Sequence, residues 1–303
     1  MAEIKQFSLS GEVTELLSTS VALEKELQNI IEKNMLKFFG VTFLASEYSA
    51  SDRRIDSLGI DENYCPVIFE YKRSTSENVI NQGLFYLNWL MDHRADFKLL
   101  VLEMLGADTA KRIDWSMPCV MCIAADFTKY DIHAVNEMQR NIKLIRYRKF
   151  GNDLILFEHL NAPNVKPVIE PQSESNTTSP SGQRTFVTHQ EKLDKADEAY
   201  KNLYFSVRDY ILSLGDDIAE SQLKSYVAFR KIYNFACIEI YNREKIVLMR
   251  LSIDPKTVEI ENGFTRDVTN IGHNGTGNLE IYIRSLADFE KAKPLIDRAY
   301  NER

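Results

Sequence analysis

From Asn161 to Gln183 the chain reads Asn-Ala-Pro-Asn-Val-Lys-Pro-Val-Ile-Glu-Pro-Gln-Ser-Glu-Ser-Asn-Thr-Thr-Ser-Pro-Ser-Gly-Gln, with four of its eight prolines and, after Pro171, no aliphatic side chain. Such a stretch cannot bury enough apolar surface to offset the entropy of ordering it. No single core can therefore run through the chain. The composition predicts an extended, flexible linker over 161–187, a front domain over 1–160 and a rear domain over 188–303. Each domain is long enough to bury a core of its own, and 44% hydrophobic with 27% charged residues is ordinary globular composition.

The longest apolar run, Cys119 to Ala125, falls well short of the roughly 18 residues that cross a bilayer, so no membrane partner is expected. The start, Met1-Ala2-Glu3-Ile4-Lys5, has no apolar stretch of the secretory kind. Four cysteines without a recurrent spacing suit a reducing compartment, and a cytoplasmic location is expected. The net charge of −7 divides as −5 in front and −2 behind, which excludes a basic coat for nucleic acid. A nucleic-acid partner would have to be met by a local patch or through metal ions.

The front half reads as mixed α/β. Leu23, Leu27, Ile30, Ile31, Met35 and Phe38 repeat at helical spacing over 21–39. Residues 54–60 and 66–72 read as strands around the turn-rich Asp61–Cys65 segment. A helix over 76–91 turns Val79, Gly83, Tyr86, Leu87 and Leu90 inward, with Ser76 as its cap. Further strands are expected over 97–103, 120–124, 142–147 and 154–158, and a helix over 133–140.

The chemistry lies between Asp56 and Gln82. Alternation along Val67-Ile68-Phe69-Glu70-Tyr71-Lys72 puts Glu70 and Lys72 on one face with Ile68. Charged groups on an otherwise apolar strand are expensive to desolvate. If the two strands pair so that Ile60 lies opposite Pro66, Asp56 lies opposite Glu70 with Cβ atoms about 5 Å apart. Two carboxylates that close repel unless a cation sits between them, and a divalent ion with oxygen ligands, Mg²⁺ or Mn²⁺, is the simplest account. Lys72 can then orient the attacking water or neutralise charge on phosphate, and Glu24 on the first helix can complete the coordination. Gln82 can fix a water, with Tyr86 one helical turn on. The outline is that of a phosphodiester-hydrolysing site, with Asp56, Glu70, Lys72, Glu24 and Gln82 as its catalytic set.

In these residues the chain resembles the PD-(D/E)xK nuclease superfamily and, within it, the NucS-like branch of DNA endonucleases. The matching pieces are Leu23-Glu24…Leu27, Arg54-Ile55-Asp56…Leu58-Gly59, Val67-Ile68-Phe69-Glu70-Tyr71-Lys72, and Gln82 with Tyr86. The resemblance is good over 21–89 and weak to residue 158. It implies a restriction-endonuclease-like mixed sheet flanked by helices, Mg²⁺-dependent cleavage of nucleic acid with DNA as the expected substrate, and a homodimer in many members. By the same match Asp56 and Glu70 are the metal ligands beside Lys72, Glu24 the helix carboxylate and Gln82 the helix glutamine. Tyr71 departs from the branch, which has an aliphatic residue there. Two blander readings stay open: a structural ion pair among Asp56, Glu70 and Lys72, and a degenerate nuclease fold acting as a non-catalytic adaptor for nucleic acid or protein.

Cys119 and Cys122 stand three apart on one strand, point to opposite faces and read as core thiols, not a zinc pair. His133 reads as part of a capping turn around Asp131. Arg53 and Arg54, just ahead of Asp56, are candidates for backbone contact with nucleic acid. Lys143, Arg146, Arg148 and Lys149 form either a phosphate-contacting stripe or a solvated strand face.

The rear half reads as a smaller α+β domain, α-β-β-β-β-α: a helix over 194–214, strands over 225–229, 235–241, 246–251 and 279–284, and a last helix opened by Ser285. It resembles a domain of unknown function often fused to such nucleases and, more loosely, the YjbR/MmcQ-like fold. Lys224, Arg230, Lys231, Arg266 and His273 are candidates for a face that recognises nucleic acid or a partner. The Gly272-His273-Asn274-Gly275-Thr276-Gly277 loop can present N–H groups to phosphate, but a turn needing positive φ is the favoured reading.

Overall fold

The computed structural model describes residues 5–74, 78–161 and 188–303. The linker expected from residue 162 onward and the expected cap Ser76 lie outside them. The chain divides into two compact units, Met1–Val165 and Lys166–Arg303.

In the front unit a short ribbon, β1 (Gln6–Ser8) with β2 (Thr14–Leu16), and β3 (Ser18–Thr19) precede α1 (Glu24–Phe39). Leu27, Ile31 and Met35 recur every fourth residue and are buried, Glu24 and Glu26 complement the positive end of the helix, and Gly40 closes it in the left-handed region at φ 65°. The apolar face differs from the expected one in two places: Leu23 is exposed at the helix start, and the polar Gln28 is buried.

Three antiparallel strands follow, β4 (Val41–Ala50), β5 (Arg53–Asp61) and β6 (Pro66–Lys72). Then come α2 (Val79–Asp92), α3 (Arg94–Leu105), α4 (Ala107–Arg112), β7 (Cys119–Ala124), α5 (Lys129–Glu137), β8 (Ile142–Phe150) and β9 (Leu154–His159). β7 runs parallel to both β6 and β8, and β3 and β9 each pair antiparallel with β8. The result is a mixed seven-stranded sheet with spatial order β4-β5-β6-β7-β8 along its main path.

Strand alternation feeds two apolar layers. Val67, Phe69 and Tyr71 join Leu27, Ile31 and Met35 under α1. Leu58, Ile68, Val120 and Cys122 join Ile80, Leu87, Leu90, Phe97, Val101 and Val135 on the other side. Cys119 and Cys122 fall in different layers, and all four cysteines are buried thiols outside any disulfide. A Cβ on Gly83 would come within 2.5 Å of Val120 Cγ1, so only glycine lets α2 lie this close to β7. That close approach fixes where Gln82 and Tyr86 project.

Several elements differ from expectation. Residues 97–103 form part of α3 and not a strand; a short apolar run has no period to separate the two, and its three leucines favour helix. The helix expected over 133–140 starts earlier, because Thr128 and Asp131 cap each other's backbone at its N-terminus. β4 is additional. Asn161, the first residue of the expected linker, still belongs to the sheet: its side chain accepts the Leu144 N–H at 2.7 Å and donates to the Ile142 carbonyl at 2.8 Å.

The rear unit comprises α6 (His189–Asp194), α7 (Glu198–Ser213), β10 (Ala219–Gln222), β11 (Val227–Arg230), β12 (Asn234–Tyr241), β13 (Ile246–Leu251), a 3-10 turn at Pro255–Thr257, β14 (Thr265–Asp267), β15 (Leu279–Ile283) and α8 (Leu286–Glu302). Its sheet is antiparallel with order β10-β11-β12-β13-β15-β14. The expected four strands are joined by two short polar edge strands, β10 and β14, which carry too little apolar pattern to announce themselves. The expected helix over 194–214 starts only at Glu198, since Asp197 caps α7 by accepting the Tyr200 N–H at 2.9 Å, and α6 precedes it. The glycine-rich loop is a turn with φ of +74° at Gly275 and +107° at Gly277. Among the described residues no helix is long and apolar enough to cross a membrane.

Candidate active site

The β5–β6 hairpin sets the geometry. Asp61 Oδ1 accepts the N–H groups of Asn63 and Cys65 at 2.9 Å, and Tyr64 takes φ 64°, so the turn locks Ile60 opposite Pro66. The ladder runs to Ser57 opposite Phe69, which leaves Asp56 and Glu70 facing one another at its open end. There the side chains take over from the backbone. The Asp56 N–H donates to Glu70 Oε1 at 3.3 Å, and the Tyr71 N–H donates to Asp56 Oδ2 at 3.0 Å. One oxygen of each carboxylate is thus held by the backbone.

The electrostatics of the pair are those of two acids sharing a dry site. Glu70 is 2% exposed. Burial first, and then the negative charge of Asp56, push its carboxyl up to about 9. Burial also raises Asp56, against the Tyr71 N–H and Lys72, which favour its anion. At neutral pH the pair therefore holds a proton unless a cation replaces it.

Lys72, at the end of β6, lies 4.0 Å from Glu24 Oε2, and Glu24 Oε1 also accepts the Arg73 N–H at 3.2 Å. The structure thus brings Glu24 to the ammonium and not into a cluster with the acid pair. Among the described residues no group of three or more His, Cys, Asp or Glu side chains could hold a metal ion. Among the described residues the expected three-carboxylate cluster is not formed: Glu24 meets Lys72 and the Arg73 N–H, and its charge alone acts on Asp56.

On α2, Tyr86 is buried, and desolvation with the nearby charges of Glu70 and Asp56 raises its hydroxyl. Among the described residues the buried Gln82 Oε1 has no hydrogen-bond partner. A buried acceptor of this kind is a place for a water or a ligand proton. Arg53 and Arg54 are exposed, and the Arg53 guanidinium lies 5.4 Å over the ring of half-exposed Phe85.

One residue escaped the sequence reading. Ser46 pairs with Ser57 and Tyr48 with Ile55, which sets Glu47 in register with Asp56 on the other side of β5. Glu47 takes φ 51°, and its charge also acts on Asp56. The available signal was a lone carboxylate inside an otherwise uncharged stretch, Val41–Ala50, but only the β4–β5 register gives it meaning.

The remaining basic candidates scatter. Arg146 is not a phosphate contact: it is 4% exposed, with Nη1 3.0 Å from Asp126 and Nη2 2.7 Å from Glu158. Lys149 pairs with Glu26 at 2.7 Å, and Arg148 is half-buried. In the rear unit Arg230 is buried and donates to the Ile232 carbonyl, while Lys231 lies over the Tyr300 ring. Lys224, between β10 and β11, and Arg266, on β14, sit at opposite edges of the sheet. His273 Nδ1 lies 3.2 Å from the Asn274 carbonyl within its own loop.

Residues 190–302 match a family described as a domain of unknown function (DUF5655). Over 307 aligned residues the chain is 31% identical to an uncharacterized protein of Haemophilus influenzae, covering 97% of this chain and 98% of that one. It is also similar to the crystal structure of a repair endonuclease from Pyrococcus abyssi, at 18% identity and a TM-score of 0.28 over 44% of this chain and 51% of that one. The chain thus spans about half the length of that structure, and a likeness so slight carries no functional argument.

Proposed function

We propose, from the premise that the chain belongs to one family with the Haemophilus influenzae protein it matches end to end, that its front unit is a metal-dependent nuclease of the PD-(D/E)xK type hydrolysing phosphodiester bonds of nucleic acid, DNA in the first instance. The observation that carries the reading is the facing of half-buried Asp56 and buried Glu70, both raised by desolvation and Glu70 also by the charge of Asp56, with Lys72 two residues along the same strand face.

The donor set fits Mg²⁺ or Mn²⁺. Both carboxylates are hard oxygen ligands with one oxygen each left over from backbone bonding, and Mg²⁺ is commonly held by one or two carboxylates, its other positions filled by water and phosphate oxygens. Asp56 and Glu70 would hold the ion, which supplies Lewis-acid stabilisation of charge and a more acidic water. Lys72 neutralises charge gathering on the phosphate oxygens, for which it must leave Glu24. Gln82 Oε1 accepts a hydrogen bond from the attacking water and so aims it. Arg53 and Arg54 contact the nucleic-acid backbone beside the site, and the rear unit recognises nucleic acid or a partner.

The test is incubation of the purified chain with linear, circular and branched DNA and with RNA, in Mg²⁺, Mn²⁺ and EDTA. Metal-dependent cleavage that Glu70→Ala and Lys72→Ala abolish supports the reading; no cleavage with either metal, or full cleavage by both variants, overturns it. One observation favours a non-catalytic adaptor instead: Glu24 engages Lys72 rather than joining the acid pair. Binding of nucleic acid without cleavage in the same assay is that reading's signature.

A further inference from the structure

On the α1 side of the sheet, behind the acid pair, lies a polar network that the proposed chemistry leaves unused; Gln28, Ser57 and Tyr71 are its buried members, and Lys25, Ser46 and Glu47 are exposed at its rim. Lys25, Gln28 and Glu32 stand three and four residues apart and form one stripe of α1. The Gln28 amide nitrogen lies 2.7 Å from the Asp56 carbonyl, 2.9 Å from Glu32 Oε1 and 3.0 Å from Ser46 Oγ, and its oxygen accepts from Lys25 at 2.9 Å. The Ser57 hydroxyl donates to Glu32 Oε1 at 2.6 Å and accepts from the Tyr71 hydroxyl at 3.1 Å. Lys25 reaches on to Glu47 at 3.1 Å.

Every strand residue in this network stands at or beside a site carboxylate: Ser46 beside Glu47, Asp56 and Ser57 together, Tyr71 beside Glu70. Because neighbours on a strand project to opposite faces, holding Ser57 and Tyr71 from α1 holds the backbone that carries Asp56 and Glu70 on the other face. The layer around it is apolar, with Leu27, Ile31, Met35 and Phe69. Buried polar groups there are less favourable than aliphatic packing unless every partner is kept, and a fully bonded network rigidifies what it touches. When both carboxylates ionise, their repulsion pushes the ends of β5 and β6 apart, and the network opposes that push. Tyr71, the departure from the aliphatic pattern, is the member that reaches across from β6.

We propose that Gln28, with Glu32, Ser57 and Tyr71, is a positioning set that fixes the separation of Asp56 and Glu70 from behind the sheet. The inference rests on the metal-dependent reading of the same site. Its test is Mn²⁺ binding to the full chain, by calorimetry and by electron paramagnetic resonance, with circular dichroism to verify folding and Glu70→Ala as the control that locates the ion. Gln28→Leu is expected to weaken Mn²⁺ binding about 10- to 100-fold, the range for groups that orient metal ligands. Tyr71→Phe keeps the ring and removes only the hydroxyl, so it carries the test even if Gln28→Leu does not fold; a several-fold loss is expected. Ser57→Ala should weaken binding similarly and Ser57→Thr should restore it, which a packing role alone would not do. A parent that binds Mn²⁺ through Glu70 while the folded variants bind as tightly overturns this inference and spares the nuclease reading. A parent without Glu70-dependent binding overturns both.

Discussion

Each unit of the molecule carries a pair of carboxylates on its sheet, both buried in the rear unit and one buried with one half-buried in the front, and the two pairs are treated in opposite ways. In the rear unit Glu239 on β12 and Glu280 on β15 flank Arg250 on β13, all nearly inaccessible. Arg250 lies 3.3 Å from Glu239 and 2.9 Å from Glu280 and also donates to the Asn274 carbonyl at 3.0 Å; Lys192 reaches Glu239 at 3.4 Å, and the Tyr282 hydroxyl donates to Glu280 at 2.7 Å. In the front unit Asp56 and Glu70 meet with no guanidinium between them, and Lys72 is turned toward Glu24. A buried acid pair that its own fold neutralises is scaffold. One left to share a proton marks a place where a cation from outside can bind.

The largest expected effect attacks the balanced pair. Arg250→Ala leaves two buried carboxylates uncompensated and should destabilise the rear unit by about 3–5 kcal/mol, read as lost hydrogen-exchange protection over 188–303. Equal protection in the variant would show that the triad contributes nothing to the fold. On the unbalanced pair the sign reverses: Glu70→Gln removes repulsion and should leave the front unit at least as stable as the parent by chemical denaturation. The same change, and Glu70→Ala, should lower metal-dependent cleavage at least about 100-fold.

A pH titration separates the units further. The raised Glu70 carboxyl, about 9 in the fold, binds a proton that the unfolded chain loses near pH 4.5. The folded state therefore holds more protons between those values, and front-unit stability should fall as pH rises through that window, by at most about 1.4 kcal/mol per pH unit. Saturating Mg²⁺ should flatten the slope. His189 behaves oppositely: burial beside Lys192 holds its imidazole down to about 4, so the unfolded state binds the extra proton between about 6.5 and 4 and rear-unit stability should fall as pH drops through that range. Trp89 and Trp115, the chain's only tryptophans, both lie in the front unit and report it selectively by fluorescence. Slopes of one sign in both units would break the contrast. The smallest effect is at the rim: Arg53→Ala should weaken nucleic-acid binding several-fold and reduce its salt dependence by about one charge.

Much of the site was legible because it is local. The Asp61–Cys65 turn is short enough to dictate the hairpin register, so the facing of Asp56 and Glu70 followed from counting outward from Ile60 and Pro66. The inward face of α2 followed in the same way from the spacing of Val79, Gly83, Tyr86, Leu87 and Leu90. What failed was of another kind. Arg146 was taken for a surface cation because its partners, Asp126 and Glu158, belong to other strands and loops. Glu47 went unremarked because its meaning depends on β4 pairing with β5, and α3 was mistaken for a strand because a short apolar run has no period of its own.

Periodicity and turn chemistry, read along the chain, were enough to divide it into two bodies and to say which way Glu70, Lys72 and Tyr71 point, since each depends on residues a few positions away. Which charge neutralises which was settled in three dimensions. Arg250 lies between its acids, Lys72 is drawn to Glu24, and Gln28 grips the Asp56 carbonyl from beneath. Neutralisation depends on distances of a few ångströms between segments far apart in sequence, and on how much water the packed layers leave between them; neither quantity is written in local pattern.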